Sequence, residues 1–400
     1  MDSGTAYGRA QPSYRKELTE VGAGTPMGEL LRRYWQPVAV AREITDEQPT
    51  KFVRIMDEDL VLFKDKSGGV GLIQDHCVHR GASLLYGRVE ERGIACAYHG
   101  WLYDTRGNCL ETPAEPADSK FFLTVKAKAY PVQKFIGLYW AYLGPQPAPE
   151  MPHYDVWFRQ DGYRTVDVYP RLDCSWVQAM ENSADPAHLQ ILHQGAAFGN
   201  RVPASTTRGF TDDVEAFEFY EVPHGLIKKR TYRNGHVDEH PLVFPNILRQ
   251  GDATQIRVAM DDTHTNVFFV HFQGGEPPEG YSHDDPPVRY VQPFKDPVDG
   301  MHPFTKFRMD VVLAQDHMAW ETQGPIADRE HERLATSDRG VVLYREMLFR
   351  EMERVQRGED PVAVQRDPNH PMIDTNLQLD LDTERGRAFG QAAGASSFRA

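Results

Sequence analysis

Apolar and polar positions change their spacing several times along this 400-residue chain, and each spacing predicts a different element. In "TPMGELLRRYWQP", Thr25 stands where an N-cap belongs and Pro26 at the first helical position, with Leu30, Leu31 and Tyr34 on one face. That is a helix start, with Pro37 as its stop. The glycines just before it have the wrong spacing for a phosphate-binding loop, and no strand precedes them. From Lys51 the period becomes two. "KFVRIMDEDLVLFKDKSGGVGLIQD" predicts strand, turn at Asp57–Asp59, strand, Ser-Gly-Gly turn and strand. Short strands continue to "FIGLYWAYLGP", closed by Pro145, Pro147 and Pro149.

The alternation therefore predicts an all-β domain over 45–148, after a helical segment over 1–44 and before a third domain at 149–400, on which the helical segment is expected to pack. The third domain mixes periods. "DCSWVQAMENSADPAHLQILHQ", "VVLAQDHMAWETQG" and "SDRGVVLYREMLFREMERVQ" are predicted helices. The last places Val341, Tyr344, Leu348, Met352 and Val355 on one apolar stripe. "QIRVAMDD" and "TNVFFVHF" are predicted strands, and "GGEPPEGYSHDDPPVRYVQPFKDP" a long loop. The tail "GRAFGQAAGASSFRA" is expected to fray. The class is α+β.

A net charge of −14 argues against nucleic acid as a partner, since that requires a basic face. The apolar runs fall short of a membrane span, and "MDSGTAYGRAQPSYRKEL" lacks the apolar centre of a secretory signal. A cytoplasmic protein is expected. Four cysteines are too few for a disulfide scaffold at this length. Cys109 and Cys174 stand alone and are expected to be ordinary thiols.

Cys77 and Cys96 do not stand alone. "DHCVHRGASL" gives Cys77-x-His79, and seventeen residues past His79 "CAYHGW" gives Cys96-x-x-His99. Two thiolates with two imidazoles can hold zinc, or a [2Fe–2S] cluster with histidines on one iron and cysteines on the other. Each arm here carries one of each, and small residues follow each one (Gly81, Ala82, Ser83; Gly100), which suits loops closing on an inorganic core. "CVHRGASL" followed by "CAYHGWLYD" resembles the cluster-binding signature of a Rieske domain. The resemblance implies that Cys77 and Cys96 bind the sulfur-ligated iron, and His79 and His99 the other.

In "ENSADPAHLQILH", Asp185 before Pro186 reads as a helix cap, and His188 and His193 follow five residues apart. That spacing is about 140° of a regular helix, so the two share a metal only if the helix is distorted, as by a π-type turn. Two imidazoles and a carboxylate with open positions make the facial triad of non-haem Fe(II) enzymes that activate oxygen. Local residues leave the carboxylate open among Glu181, Asp173, Asp310 and Asp316.

Together the two constellations resemble the large, oxygenase subunit of the Rieske non-haem iron aromatic-ring-hydroxylating oxygenases. "RVAMDDTHT" and "LAQDHMAWETQGPIADREHERLATSDRGVVLYREML" resemble the phthalate-dioxygenase-like branch, which includes aryl O-demethylases. The resemblance implies a Rieske domain inserted after an N-terminal helix, a helix-grip-like catalytic domain and a ring-shaped homotrimer. It implies Fe(II) held by His188, His193 and Asp316, with Asp185 joining His188 to His99 of the partner subunit. His264 and His317 are expected to be ordinary histidines.

Substrates would be an aromatic acid and O2, with electrons from a separate reductase, with or without a ferredoxin. O-demethylation or hydroxylation of a methoxylated acid such as dehydrodivanillate is the leading expectation, and phthalate-type ring dihydroxylation the alternative. Arg249 and Arg257 are candidates for the substrate carboxylate. An electron-transfer protein without oxygenase activity and a zinc-stapled binding module are the rival classes.

Overall fold

The computed structural model describes residues 14–193, 214–296, 306–309 and 311–375. Helix α1 (Pro26–Leu31) opens as its sequence predicts, with Thr25 Oγ1 accepting the Gly28 N–H at 3.1 Å. It ends earlier than a proline stop would have it. Pro37 lies inside strand β1 (Gln36–Val40), where the pairing register shifts between Pro37 and Ala39. An irregularity of this kind is where a strand tolerates a residue with no N–H to give.

The alternating run becomes β2 (Thr50–Ile55), β3 (Glu58–Lys64) and β4 (Val70–Gln74). The first turn falls at Met56–Asp57, slightly ahead of the predicted position, and both residues adopt positive φ, 47° and 60°. Two such residues match the twist of a tight hairpin. Their N–H groups donate to Ala259 and Met260 carbonyls at 2.9 Å each, which stitches the hairpin tip to the C-terminal part of the chain.

Strands β5 (Arg88–Glu90), β6 (Gly93–Ala95), β7 (Leu102–Tyr103) and β8 (Cys109–Glu111) form a four-stranded sheet. β9 (Ala129–Tyr130) completes another in the order β2-β3-β4-β9. β10 (Val132–Phe135) and β11 (Leu138–Ala141) join β1 in a third. Val61, Phe63, Ile73, Ile94 and Tyr103 form one buried cluster between the two four-stranded sheets, and it includes Cys77 and Cys96.

Beyond the prolines come α2 (Asp155–Phe158), β12 (Gly162–Val168), α3 (Trp176–Ala184) and α4 (His188–Ile191). β13 (Val214–Val222), β14 (Gly225–Tyr232), β15 (Val237–Val243), β16 (Ile247–Gln250), β17 (Ala253–Asp261) and β18 (His264–Gly274) follow. They form an antiparallel sheet in sequence order, extended by β12 beside β18. The predicted long loop contributes β19 (Val288–Tyr290), which adds parallel to β12 as the last strand. An edge strand of three residues carries too little alternation to stand out from a proline-rich stretch.

Helices α5 (Val312–Glu321) and α6 (Arg339–Gln356) close the fold. The α6 stripe, Val341 through Val355, is buried in the main core, and α6 packs on α1 and α3. Among the described residues no helix is long and apolar enough to cross a membrane.

Candidate metal centres

The two Cys/His loops are built alike. In the first, the Cys77 N–H donates to the Ala82 carbonyl at 2.8 Å, and the Cys77 carbonyl accepts the Gly81 N–H at 2.8 Å. In the second, the Cys96 N–H donates to the Trp101 carbonyl at 2.8 Å, and the Cys96 carbonyl accepts the Gly100 N–H at 2.9 Å. Gly81 and Gly100 sit at φ 76° and 74°, a left-handed turn open to glycine at little cost. Each loop so folded buries its cysteine and presents its histidine outward. Cys77 and Cys96 are 3% and 4% exposed, and the His79 and His99 rings face each other at 4.5 Å between centroids. His79 also stacks flat on Trp101 at 4.3 Å.

No three of these four residues bring their ligand atoms within 4.8 Å of one another, although they share one end of the domain. A single tetrahedral zinc needs all four at about 3.5 Å, given bonds of about 2.0–2.3 Å. A wider core with cysteines on one iron and histidines on the other fits this spread. Burial pushes the Cys77 thiol above its usual value, while Tyr103, whose hydroxyl lies 3.3 Å from Cys77 Sγ, works the other way.

The second centre forms where α4 meets α5. Helix α3 ends at Asp185, whose Oδ1 accepts the Ala187 N–H at 2.7 Å and turns the chain into α4. His188 starts α4 and His193 lies two residues past its end. The two rings approach to 5.3 Å at 80°. Asp316, from α5, completes the set: its Oδ1 lies 3.3 Å from His193 Nε2 and 3.7 Å from His188 Nε2.

These three residues are the one group of potential ligands among the described residues whose donor atoms all lie within 4.8 Å. Asp316 Oδ1 is buried and, among the described residues, accepts no hydrogen bond. Burial works to raise the Asp316 carboxyl, and the charges of His193, His188 and Arg257 together outweigh it, so the carboxyl is held below its usual value. Burial likewise works to lower His193, and Asp316 holds it above the usual histidine range. An unsatisfied buried carboxylate oxygen facing two imidazole nitrogens suits a cation with nitrogen and oxygen ligands.

A Rieske [2Fe-2S] domain model matches residues 34–134, and a LigXa C-terminal domain-like model matches residues 301–376. The chain is 39% identical over 363 residues to the 5,5'-dehydrodivanillate O-demethylase oxygenase subunit of Sphingobium sp., covering 88% of this chain and 82% of the relative. It is 34% identical over 399 residues to the phenoxybenzoate dioxygenase subunit alpha of Ectopseudomonas oleovorans, covering 90% of each. The chain belongs to the Rieske non-haem iron oxygenases. Its fold agrees with that of NdmB from Pseudomonas putida CBB5, with a TM-score of 0.58 at 20% identity over 82% of this chain and 93% of that one. It is an oxygenase subunit of a multicomponent system, an oxidoreductase whose family carries a [2Fe–2S] cluster and a mononuclear iron.

In this oxygenase the other candidate carboxylates have different work. Glu181 is buried between Arg329, at 2.9 Å, and Arg345, at 2.7 Å. Asp173 pairs with Lys295 at 2.6 Å and Arg171 at 2.8 Å. Asp310 lies outside the described residues. Asp185 Oδ2 is 3.3 Å from His188 Nδ1, close enough to hold the ring but off the line of a hydrogen bond. Among the described residues it has no bond to His99 of its own chain.

His264 is tied to Asp261 at 2.9 Å, and His317 is buried against Trp320 and Phe294, where burial pulls it down to about 3. Neither reaches the metal set. Cys109 and Cys174 are buried in apolar clusters.

The two candidate substrate arginines are both braces. Arg249 is 1% exposed, 2.9 Å from Asp155 Oδ2 and 3.0 Å from Thr375 Oγ1. Arg257 donates to the Ala179 carbonyl, Ser183 Oγ and Gln255 Oε1, and its guanidinium lies 4.7 Å from the Trp320 ring. It fastens α3 to β17 and lies against Trp320 of α5.

Sequence reading missed Gln315 and Lys228. Gln315 Oε1 lies 2.9 Å from His193 Nδ1. Its position immediately before Asp316 is the one hint in the sequence. Lys228 is a buried lysine on β14, and no motif surrounds it.

Proposed function

We propose that this subunit uses O2, and electrons from a separate reductase with or without a ferredoxin, to O-demethylate or hydroxylate an aromatic carboxylate. A lignin-derived methoxylated acid such as dehydrodivanillate is the leading substrate. The observation that carries the reading is the convergence of His188, His193 and Asp316, with Asp316 Oδ1 buried and without a hydrogen bond among the described residues. Both relatives described above are named for aromatic carboxylates.

In this reading His188, His193 and Asp316 hold Fe(II), while Cys77, Cys96, His79 and His99 hold the cluster. Held there, iron would supply oxygen activation. The chain's own residues orient and exclude. Gln315 fixes the His193 ring, and Arg257 with Trp320 backs the site with a dry, packed wall. Asp185 steadies His188 and, in the homotrimer that the family resemblance implies, joins it to His99 of the partner subunit. The exposed edge of the two histidine rings suits such a contact. A cytoplasmic location fits four free buried thiols, of which a reducing compartment keeps Cys77 and Cys96 available to the cluster.

The test is metal analysis followed by turnover. Anaerobically purified protein is expected to hold about three irons and two acid-labile sulfides per chain, with a Rieske EPR signal on reduction. With a reductase, dehydrodivanillate is expected to yield formaldehyde. A cis-diol would move the reaction to ring dihydroxylation. Two irons and two sulfides, unchanged after adding Fe(II), would leave an electron carrier.

A further inference from the structure

A carboxylate substrate in a buried site requires a cation, and three of the arginines on the sheet are already committed. Arg249 is paired with Asp155, and Arg257 braces α3. Arg230 makes a two-pronged bond to Asp238, at 2.8 and 2.7 Å, which Tyr232 and His240 enclose. Lys228 differs from all of them. It is 5% exposed, and among the described residues its ammonium has no hydrogen-bonding or ion-pairing partner.

Its place is set by the sheet. On β14 it alternates with the buried Leu226 and Arg230, so the three share one face. The β14–β15 register puts it opposite His240, one pair along from Arg230 and Asp238 on that face. Asp185, which holds His188, and Arg257, which braces α3, are both near enough to act on Lys228 through space. The ammonium thus lies on the buried face of β14, beside Arg230 and opposite His240, with no counter-ion among the described residues. A buried charge left unpaired is costly, and it is retained where a ligand completes it.

We propose that Lys228 is the specificity-determining cation of this oxygenase, taking one carboxylate oxygen of an aromatic acid whose ring is thereby directed toward His188, His193 and Asp316. The proposal rests on the aromatic-acid reading above and deepens it. The neighbouring Arg230 is saturated by Asp238, which leaves Lys228 as the cation of this stretch of the face available to one carboxylate.

The test uses the full-length holoprotein, cluster and iron loaded and kept anaerobic. Dissociation constants for dehydrodivanillate and for its neutral diamide are measured by calorimetry on the parent, Lys228→Met and Lys228→Arg. The parent is expected to favour the acid by at least about tenfold. Lys228→Met is expected to lose acid affinity by roughly 10- to 100-fold while diamide binding changes by less than about threefold, and Lys228→Arg to recover part of the loss. Should Lys228→Met lose the visible absorbance of the cluster, Lys228→Gln is held to the same criteria. A neutral variant that keeps the parent's acid preference overturns the assignment and leaves the oxygenase reading standing. A parent that binds the acid no better than the diamide overturns the aromatic-acid reading, and the Lys228 assignment with it.

Discussion

Gln315 Oε1 lies 2.9 Å from His193 Nδ1, and the amide cannot turn around, because Gln315 Nε2 donates to the Met309 carbonyl at 2.8 Å. With the oxygen fixed toward the ring, Nδ1 must carry the proton and Nε2 must offer its lone pair to the side where Asp316 waits. One buried amide therefore selects the imidazole tautomer that can bind a metal.

Gln315→Leu is accordingly expected to weaken Fe(II) retention by roughly 10- to 100-fold, with the cluster spectrum unchanged. Gln315→Glu keeps an acceptor at the same place and is expected to retain iron. Iron per chain after dialysis against a graded chelator reads both variants. A Leu variant that holds iron as tightly as the parent would show that the ring is oriented by packing alone.

How much of this could be read from the chain alone depends on how local each signal is. Cys77, His79, Cys96 and His99 lie on two short loops of one hairpin-rich region, and their residue types carry the chemistry without any distant partner. The α6 stripe is equally local, and all five of its apolar residues are buried in the main core. Asp316 is different. Glu181 and Asp173 have the same functional group, and what separates them from Asp316 is that Arg329, Arg345 and Lys295 neutralise them. Those partners come from distant parts of the chain, so spacing leaves the carboxylate open and only the family resemblance points to Asp316. The arginines fail the same way. Nothing in "NILRQ" or "QIRVAM" says that Arg249 meets Asp155 or that Arg257 reaches back to α3.

The glycines of the cluster loops should not be equivalent. Both need positive φ, which costs a non-glycine residue roughly 1–2 kcal/mol. A Cβ at Gly81 would meet nothing within 4 Å, whereas one at Gly100 would press on Pro113 Cγ at 3.2 Å. Gly81→Ala is expected to keep its cluster with a modest loss of thermal stability, and Gly100→Ala to lose more of both. Acid-labile sulfide and the melting temperature of the cluster absorbance make the comparison. Equal losses would mean that φ alone governs these turns.

Tyr103 bears on the potential of the cluster. Its hydroxyl lies 3.3 Å from Cys77 Sγ, and when Cys77 is a cluster thiolate the hydroxyl is the donor. A donor to sulfur favours the reduced, more negative cluster. Removing a hydrogen bond of about 0.5–1.5 kcal/mol corresponds to roughly 20–60 mV for one electron. Tyr103→Phe is therefore expected to lower the midpoint potential by that amount, as read by EPR-monitored titration. An unchanged potential would mean that the bond is equally strong in both oxidation states.

Lys228 gives the last prediction, in pH. Burial, followed by the charge of Arg230, pulls its ammonium down to about 7, with Arg257 acting in the same direction and Asp185 and Asp238 opposing. His240 faces it across the strand pair. A bound carboxylate favours the charged form, so it must raise the Lys228 pKa and draw in a proton. Below pH 7 the lysine is already charged and binding an aromatic acid should take up little. Above pH 7 uptake should approach about one proton, and affinity should fall by up to tenfold per unit. Calorimetry in buffers of different ionisation enthalpy measures the uptake directly. Lys228→Arg keeps its charge across this range and is expected to flatten both curves. A parent-like slope in that variant would assign the proton to another group, with His240 the next to examine.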